Sequence, residues 1–180
     1  TQSRSSAASD VYKRQIINEF STGNKALTYY VAKISNGEYK TGYRDVFEDD
    51  QEHFSDDVHV SYEDALNDLA QKIGDEVIDG DAFTALYTPV MDTLRKHKWE
   101  QIEGTLLWEH DFDGMGRYAI LSTKNGYAWT FFDDVDEDEI EDGYETKQDV
   151  IQSLIDNADR TLTFEKDRAN VKAVLNQADF

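Results

Sequence analysis

The hydrophobic and polar pattern of the first half of the chain predicts a hairpin followed by a helix. Residues 27–35 (LTYYVAKIS) have the aromatic and β-branched composition of a strand. Residues 38–44 follow across an Asn-Gly dipeptide, which accepts the positive φ of a tight turn. Ser61 can cap a helix that Gly74 would end. The apolar positions of this helix form one stripe: Ala65, Leu66, Leu69, Ala70 and Ile73.

The middle of the chain predicts two further helices. Residues 81–87 form a short one, and Thr88 with Pro89 supplies the cap and first turn of a longer helix that runs to about His97. The inward side chains of the longer helix are Val90, Met91 and Leu94. Its last turn, residues 95–98 (RKHK), is a dense basic cluster in an acidic chain.

The second half repeats the order of the first. Strands are predicted at 104–110, 117–122 and 127–132, the last two joined by another Asn-Gly dipeptide, and Thr146 caps a helix. A short segment at 161–164 and a helix at 166–176 follow. Strand, turn, strand, acidic segment and capped helix therefore occur at 28–73 and again at 117–155, which indicates two half-units or a coincidence of a common motif. The pattern predicts an α+β fold, with an antiparallel sheet of hairpins and three to four helices packed on one face.

Composition places this fold among acidic globular proteins. The 180 residues carry 38 Asp or Glu against 18 Lys or Arg, a net charge of −20. Nine carboxylates and no base lie in residues 131–145, and fourteen carboxylates accompany Lys72 alone in residues 45–82. Aromatic side chains are too frequent for a disordered acidic tail. We therefore expect a single acidic α+β domain over residues 16–180.

The charge also limits the partners. Repulsion between the carboxylates of the chain and phosphate groups disfavours direct binding to nucleic acid or to an anionic membrane. The same negative charge favours basic proteins as partners. No apolar run reaches the roughly eighteen residues of a membrane span, so the expected location is cytoplasmic. Cys is absent, which excludes disulfides and thiol chemistry. The oligomeric state is not indicated.

Calcium binding is the sharpest chemical hypothesis. Counted from Asp134, the segment 134–145 (DVDEDEIEDGYE) places carboxylates at several EF-hand ligand positions. It lacks the glycine that the loop needs at position 6, where Glu139 stands, and a strand rather than a helix precedes it. The preferred interpretation is a solvated acidic loop without metal or cofactor.

Motifs of catalysis are not found. The four histidines are scattered, and neither a nucleophile elbow nor a phosphate-binding glycine loop occurs. With carboxylates so numerous, the sequence does not single out an acid–base pair. An enzyme is therefore not indicated, and no catalytic residues are predicted.

The N-terminal segment resembles a translated sequencing adapter. Residues 5–15 (SSAASDVYKRQ) match what one frame of a transposase-type library adapter encodes. The resemblance implies a non-native leader over residues 1–15, a metagenomic source and a true start that is unknown. A natural basic, Ser-rich leader or the start of a transit peptide is the alternative.

A second resemblance covers residues 87–109 (YTPVMDTLRKHKWEQIEGTLLWE). They look like the helix-to-strand passage of small ferredoxin-like endoribonucleases related to the virulence-associated D proteins. The resemblance implies a ferredoxin-like layer. Those families place an Asp at the end of their first strand, and residues 29–35 have none, so nuclease activity is not implied.

In general character the chain resembles the small acidic anti-CRISPR and anti-restriction proteins of phages and plasmids, which act as nucleic-acid mimics. The resemblance implies a nuclease inhibitor that occupies the basic groove of a nucleic-acid-handling protein. The alternatives are an immunity-type or generic acidic protein-binding domain and, third, a ferredoxin-like endoribonuclease relative. The predicted partner-binding residues are the clustered carboxylates Asp49, Asp50, Asp56, Asp57, Asp133, Asp134, Asp136, Asp138, Glu139, Glu141 and Asp142.

Overall fold

The computed structural model describes residues 14–132 and 139–180. Within them it has eight strands and four helices, which confirms the predicted antiparallel α+β fold. The strands form two sheets of four rather than one. The chain divides into two compact units, Thr1–His97 (unit 1) and Lys98–Phe180 (unit 2).

Unit 1 is a four-stranded meander followed by helices. The strands pair in sequence order, each antiparallel to the next. Their bounds are β1 Gln15–Ser21, β2 Leu27–Lys33, β3 Tyr39–Asp45 and β4 His53–Phe54. The helices are α1 Tyr62–Glu76 and α2 Gly80–Gln101, and the division between the units falls within α2.

Helix α1 forms where its local signals predict it. The Ser61 side chain accepts a hydrogen bond from the Asp64 amide at 3.0 Å, as an N-cap does. All five residues of the predicted apolar stripe are buried, and they pack against Tyr29 and Val31 of β2. Gly74 does not end the helix, which continues to Glu76. The stripe therefore fixes which face of the first sheet is covered.

Helix α2 corrects the prediction of two helices separated at Thr88. It is one continuous helix that begins at Gly80, where the Asp79 side chain accepts from the Ala82 amide at 2.9 Å. Pro89 lies inside the helix, where it removes one backbone donor. Burial of Leu86, Val90 and Leu94 at helical spacing offsets that loss. Packing of this face thus keeps the helix continuous through Pro89.

Unit 2 has the same order of elements. Its strands are β5 Thr105–Phe112, β6 Gly116–Thr123, β7 Gly126–Phe132 and β8 Glu139–Tyr144, and its helices are α3 Lys147–Thr161 and α4 Glu165–Leu175. Thr146 caps α3 by accepting from the Asp149 amide at 3.1 Å, as predicted. Its core gathers the fully buried Trp129, Tyr118, Ile120, Val150 and Leu154. The strand β8 was not predicted.

The two units agree in detail. Each has an irregularity in its first strand pair, between Ile16 and Asn18 in unit 1 and between Leu106 and Trp108 in unit 2. Each joins its second and third strands through a glycine of positive φ, Gly37 at 87° and Gly126 at 121°, as the Asn-Gly pairs predicted. Each continues into a capped 15-residue helix. A duplication of half-units stays a prediction.

The topology of the two units also bears on the expected ferredoxin-like layer. The prediction of a ferredoxin-like layer is wrong, because that fold alternates strands and helices as βαββαβ, whereas each unit here runs through four strands before its helices.

The interpretation of residues 1–15 as a translated adapter stays a prediction, and most of the segment lies outside the described residues. Two residues of this segment are described: Gln15 pairs with Lys33, and the Arg14 guanidinium lies 4.1 Å from the Phe54 ring centroid.

Candidate protein-binding surface

The connection from β3 to α1 carries the first group of predicted carboxylates. We call residues 45–60 the acidic loop. It is held by hydrogen bonds to its own carboxylates: the Phe47 amide donates to Asp45 Oδ1 at 2.8 Å, and the Gln51 amide donates to Asp49 Oδ1 at 3.0 Å. The Asp50 amide also donates to the Asp45 carbonyl at 3.1 Å. Acidic side chains therefore shape this loop as well as charging it.

Two basic side chains fix the loop to the sheet. Arg44 Nε lies 3.3 Å from Asp50 Oδ1, and His53 Nε2 lies 2.8 Å from Asp49 Oδ2. Asp50 adopts a left-handed backbone conformation with φ of 53°, which Asp tolerates better than most residues. The hydrogen bond with His53 lowers the pKa of Asp49. Asp49 is therefore ionised at neutral pH and oriented.

All four predicted residues of unit 1 lie on this loop and are exposed: Asp49, Asp50, Asp56 and Asp57. The Asp57 amide donates to Ser55 Oγ at 3.1 Å, which forms a second local turn. At the end of the loop, His59 pairs with Tyr39 through two backbone hydrogen bonds of 2.8 and 2.9 Å. The carboxylates thus project from a connection that is tied to β3 at both ends.

Exposed apolar side chains accompany these charges, and the sequence interpretation missed them. Phe47 is 83% exposed and Ile78 is 97% exposed. Phe47 borders an open groove of about 490 Å³ whose wall includes Asp45, Asp79 and Asp81. Large apolar side chains beside carboxylates are typical of surfaces that bind proteins. The signal in the sequence was Phe47 itself, an aromatic residue inside an acidic turn.

Behind the acidic loop, Asp68 of α1 organises a half-buried polar cluster. It accepts hydrogen bonds from Thr41 at 2.8 Å and lies 2.9 Å from Lys72 Nζ and 3.2 Å from His59 Nε2. Burial alone would raise the pKa of Asp68, but the hydrogen bonds from Lys72 and Thr41 hold it below its usual value. This cluster joins β3, the end of the acidic loop and α1.

The second group of predicted carboxylates is placed differently. Asp133, Asp134, Asp136 and Asp138 lie outside the described residues, and so does much of the calcium-like pattern. Glu139 begins the strand β8, which pairs with β7. A free acidic loop over residues 139–144 is therefore wrong, because the ladder hydrogen bonds of β8 extend the second sheet.

Glu141 and Asp142 make contacts inside unit 2. Glu141 accepts from the Tyr144 hydroxyl at 2.5 Å and from Ser153 Oγ at 3.4 Å. Asp142 accepts from Thr123 Oγ1 at 2.7 Å and from Asn125 Nδ2 at 3.1 Å. Burial would raise the pKa of Asp142, but these hydrogen bonds lower it. Both carboxylates hold β8 against its neighbours, a role that composition alone could not indicate.

Among residues 14–132 and 139–180, no group of three or more carboxylate or imidazole side chains is arranged to hold a metal ion. In the same described part of the chain, every helix is too short or too polar to cross a membrane. Comparison with protein-family models, curated proteins and solved structures gave no match.

Proposed function

We propose that this protein inhibits a basic nucleic-acid-handling protein, of the kind found in CRISPR or restriction systems, by occupying its nucleic-acid groove. The observation that carries the proposal is the acidic loop, in which exposed carboxylates are held in place by backbone amides, Arg44 and His53. The net charge of −20 adds long-range attraction to a basic surface.

The physical requirement is a rigid array of negative charge. Duplex DNA presents about one charge per 1.7 Å of its axis, and a competitor must match that density without losing much entropy on binding. A loop whose carboxylates accept its own amide hydrogen bonds is already ordered before the partner arrives. This favours the acidic loop over a disordered acidic tail as the inhibitory element.

A second candidate function is conventional protein binding, as in an immunity-type or generic acidic binding domain. The exposed Phe47 and Ile78 favour it, because aromatic and apolar anchors dominate such interfaces. In that case affinity depends mainly on the anchors and changes little with salt. Inhibition by occupying a nucleic-acid groove instead requires a steep salt dependence of binding.

The test is displacement of labelled duplex DNA from a panel of purified CRISPR effector complexes and restriction endonucleases. The loop variant combines Glu52→Lys, Asp56→Lys and Asp57→Lys, which leaves Asp45, Asp49 and Asp50 to hold the turn. A matched control combines Glu100→Lys, Asp113→Lys and Asp179→Lys, three exposed carboxylates of unit 2 with the same total change in charge.

We expect the parent chain to displace DNA from at least one member of the panel, with affinity that falls steeply from low to moderate salt. The loop variant should bind that member at least tenfold more weakly, on the order of 1.4 kcal/mol, and the control variant should lose much less. Failure to displace DNA from any member, or equal losses in both folded variants, would contradict the proposal.

A further inference from the structure

A cavity of about 220 Å³ opens in unit 1 beside the acidic loop. Four aromatic rings line it, those of Tyr29, Tyr43, His53 and Phe54, together with the charged groups of Lys72 and Glu76. His53 is also the residue that binds Asp49 of the loop. The cavity and the predicted binding surface therefore share a wall.

The comparison of the two units shows that the fold does not require this cavity. Thr41 on β3 pairs with Val31, and Trp129 on β7 pairs with Ile120, at matching positions of the two sheets. The indole of Trp129 is fully buried in the core of unit 2, whereas the much smaller Thr41 lines the cavity of unit 1. Unit 1 is thus open at a position that unit 2 fills with a large side chain.

The rings of the cavity suit a planar cation. Tyr43 and His53 are stacked with ring centroids 5.2 Å apart, and Tyr29 lies 6.2 Å from Tyr43. The faces of tyrosine rings attract guanidinium and ammonium groups. The Phe54 ring contacts Arg14 already, so the Tyr43 and His53 side is the part of the wall that an incoming cation would meet.

The charges of the cavity point to the same ligand. Glu76 accepts a 3.0 Å hydrogen bond from the Tyr29 hydroxyl, and an ionised carboxylate has further acceptor sites. Lys72 does not oppose a cation strongly, because its ammonium lies 2.9 Å from Asp68 and donates to Thr41 at 3.0 Å. A negative acceptor thus stands at an aromatic wall, next to a locally neutralised base.

We propose that this cavity is an anchor site for one arginine side chain of the basic partner. Arginine is preferred to lysine because its planar guanidinium stacks on rings and can donate two hydrogen bonds to a carboxylate such as that of Glu76. The volume is several times the roughly 30 Å³ share of one water molecule, which leaves room for a guanidinium and part of its stem. The assignment deepens the proposed function, on which the identity of the partner rests.

The test uses N-acetyl-L-arginine amide as the probe, with the citrulline amide as a neutral analogue of the same shape and the lysine amide as a second cation. Binding is followed by NMR of the ring resonances of Tyr43 and His53 in the full chain. We expect saturable shifts in the millimolar range with the arginine amide, binding at least tenfold weaker with citrulline, and weaker binding with lysine.

Two variants and a control locate the site. Glu76→Gln keeps an acceptor for Tyr29 but removes the charge, and Tyr43→Leu removes a ring without touching Glu76; each should weaken arginine binding at least fivefold. Asp75→Asn, an exposed carboxylate adjacent in sequence, should leave binding unchanged. Equal binding of citrulline, equal loss in Asp75→Asn, or shifts that never saturate would overturn the proposal. Because no partner is present, this result is independent of the DNA-displacement test.

Discussion

Thr41 donates a 2.8 Å hydrogen bond to Asp68, and Trp129, at the matching strand position of unit 2, donates a 3.0 Å bond from its indole to Ser153. Asp68 and Ser153 also match, since each lies four residues after the amide that its helix cap binds. The same link from third strand to first helix is therefore ionic in unit 1 and neutral in unit 2. We therefore expect this link to depend on pH in unit 1 but not in unit 2.

Asp68→Asn should destabilise the protein at neutral pH and much less in acid. The folded-state pKa of Asp68 is lowered, so its stabilisation is present above the unfolded value of about 3.9 and is lost as pH falls through the folded value. We expect a cost of about 1 kcal/mol at pH 7, since the ion pair with Lys72 is partly exposed. Urea unfolding at pH 7 and pH 3 measures both values. Asp75→Asn is the control, and a cost at pH 3 as large as the cost at pH 7 would contradict the linkage.

Ser153→Ala should destabilise unit 2 by about 1–3 kcal/mol at any pH. The substitution leaves the fully buried indole N–H of Trp129 without its acceptor, and it removes the 2.5 Å hydrogen bond with Tyr144. Thermal unfolding should show the loss as a fall in Tm of roughly 2–4 °C per kcal/mol. Gln152→Ala, which removes only an exposed bond to Asp156, should change stability by less than about 0.5 kcal/mol. Equal effects of the two would refute the importance of the buried indole bond.

The sequence predicted the elements whose signals are local. Ser61 and Thr146 cap their helices because the acceptor and the amide lie three residues apart, and Gly37 and Gly126 supply the positive φ that their hairpin turns need. Thr88 also looked like a cap, but the choice between Asp79 and Thr88 depends on distant packing of the Leu86, Val90 and Leu94 face. Local chemistry alone could not make that choice.

The candidate site was predictable only in part, for a physical reason. Asp49 and Asp50 are exposed, as the acidic composition of their segment suggested. In contrast, Glu141 and Asp142 accept hydrogen bonds from side chains up to nineteen residues away in sequence. A carboxylate in an acidic run looks the same in sequence whether it is solvated or bonded. The cavity beside Thr41 was likewise invisible, because it depends on what β4 and α1 leave unfilled.

Asp142→Ala should lower stability without weakening partner binding. It removes the acceptor of Thr123 and Asn125 in the hairpin between β6 and β7, at a cost of roughly 1 kcal/mol. Asp113→Ala removes an exposed carboxylate of the same unit and is the control; it should change neither stability nor partner binding. Stability is measured by thermal unfolding and binding by DNA displacement. Loss of binding with unchanged stability would instead place Asp142 in the interface.

Phe47→Ala should weaken partner binding at least tenfold, on the order of 1.4 kcal/mol, and leave stability within about 0.5 kcal/mol of the parent. The ring is 83% exposed in the free protein, so its removal opens no cavity and stability is kept. In the complex the ring enters a pocket of the partner and is removed from water, so its loss weakens binding. Phe164→Ala is the matched control, since Phe164 is 69% exposed and lies in unit 2, away from the acidic loop in sequence.

Salt separates the contribution of Phe47 from that of the neighbouring charges. The loss caused by Phe47→Ala should be the same at low and moderate salt, because apolar burial is not screened, whereas the loss from Asp56→Lys with Asp57→Lys should shrink as salt rises. DNA-displacement titrations of the responding panel member at both salt concentrations give the two comparisons. If Phe47→Ala and Phe164→Ala bind equally well, Phe47 is only an exposed side chain, and the carboxylates of the acidic loop must account for binding without an aromatic anchor.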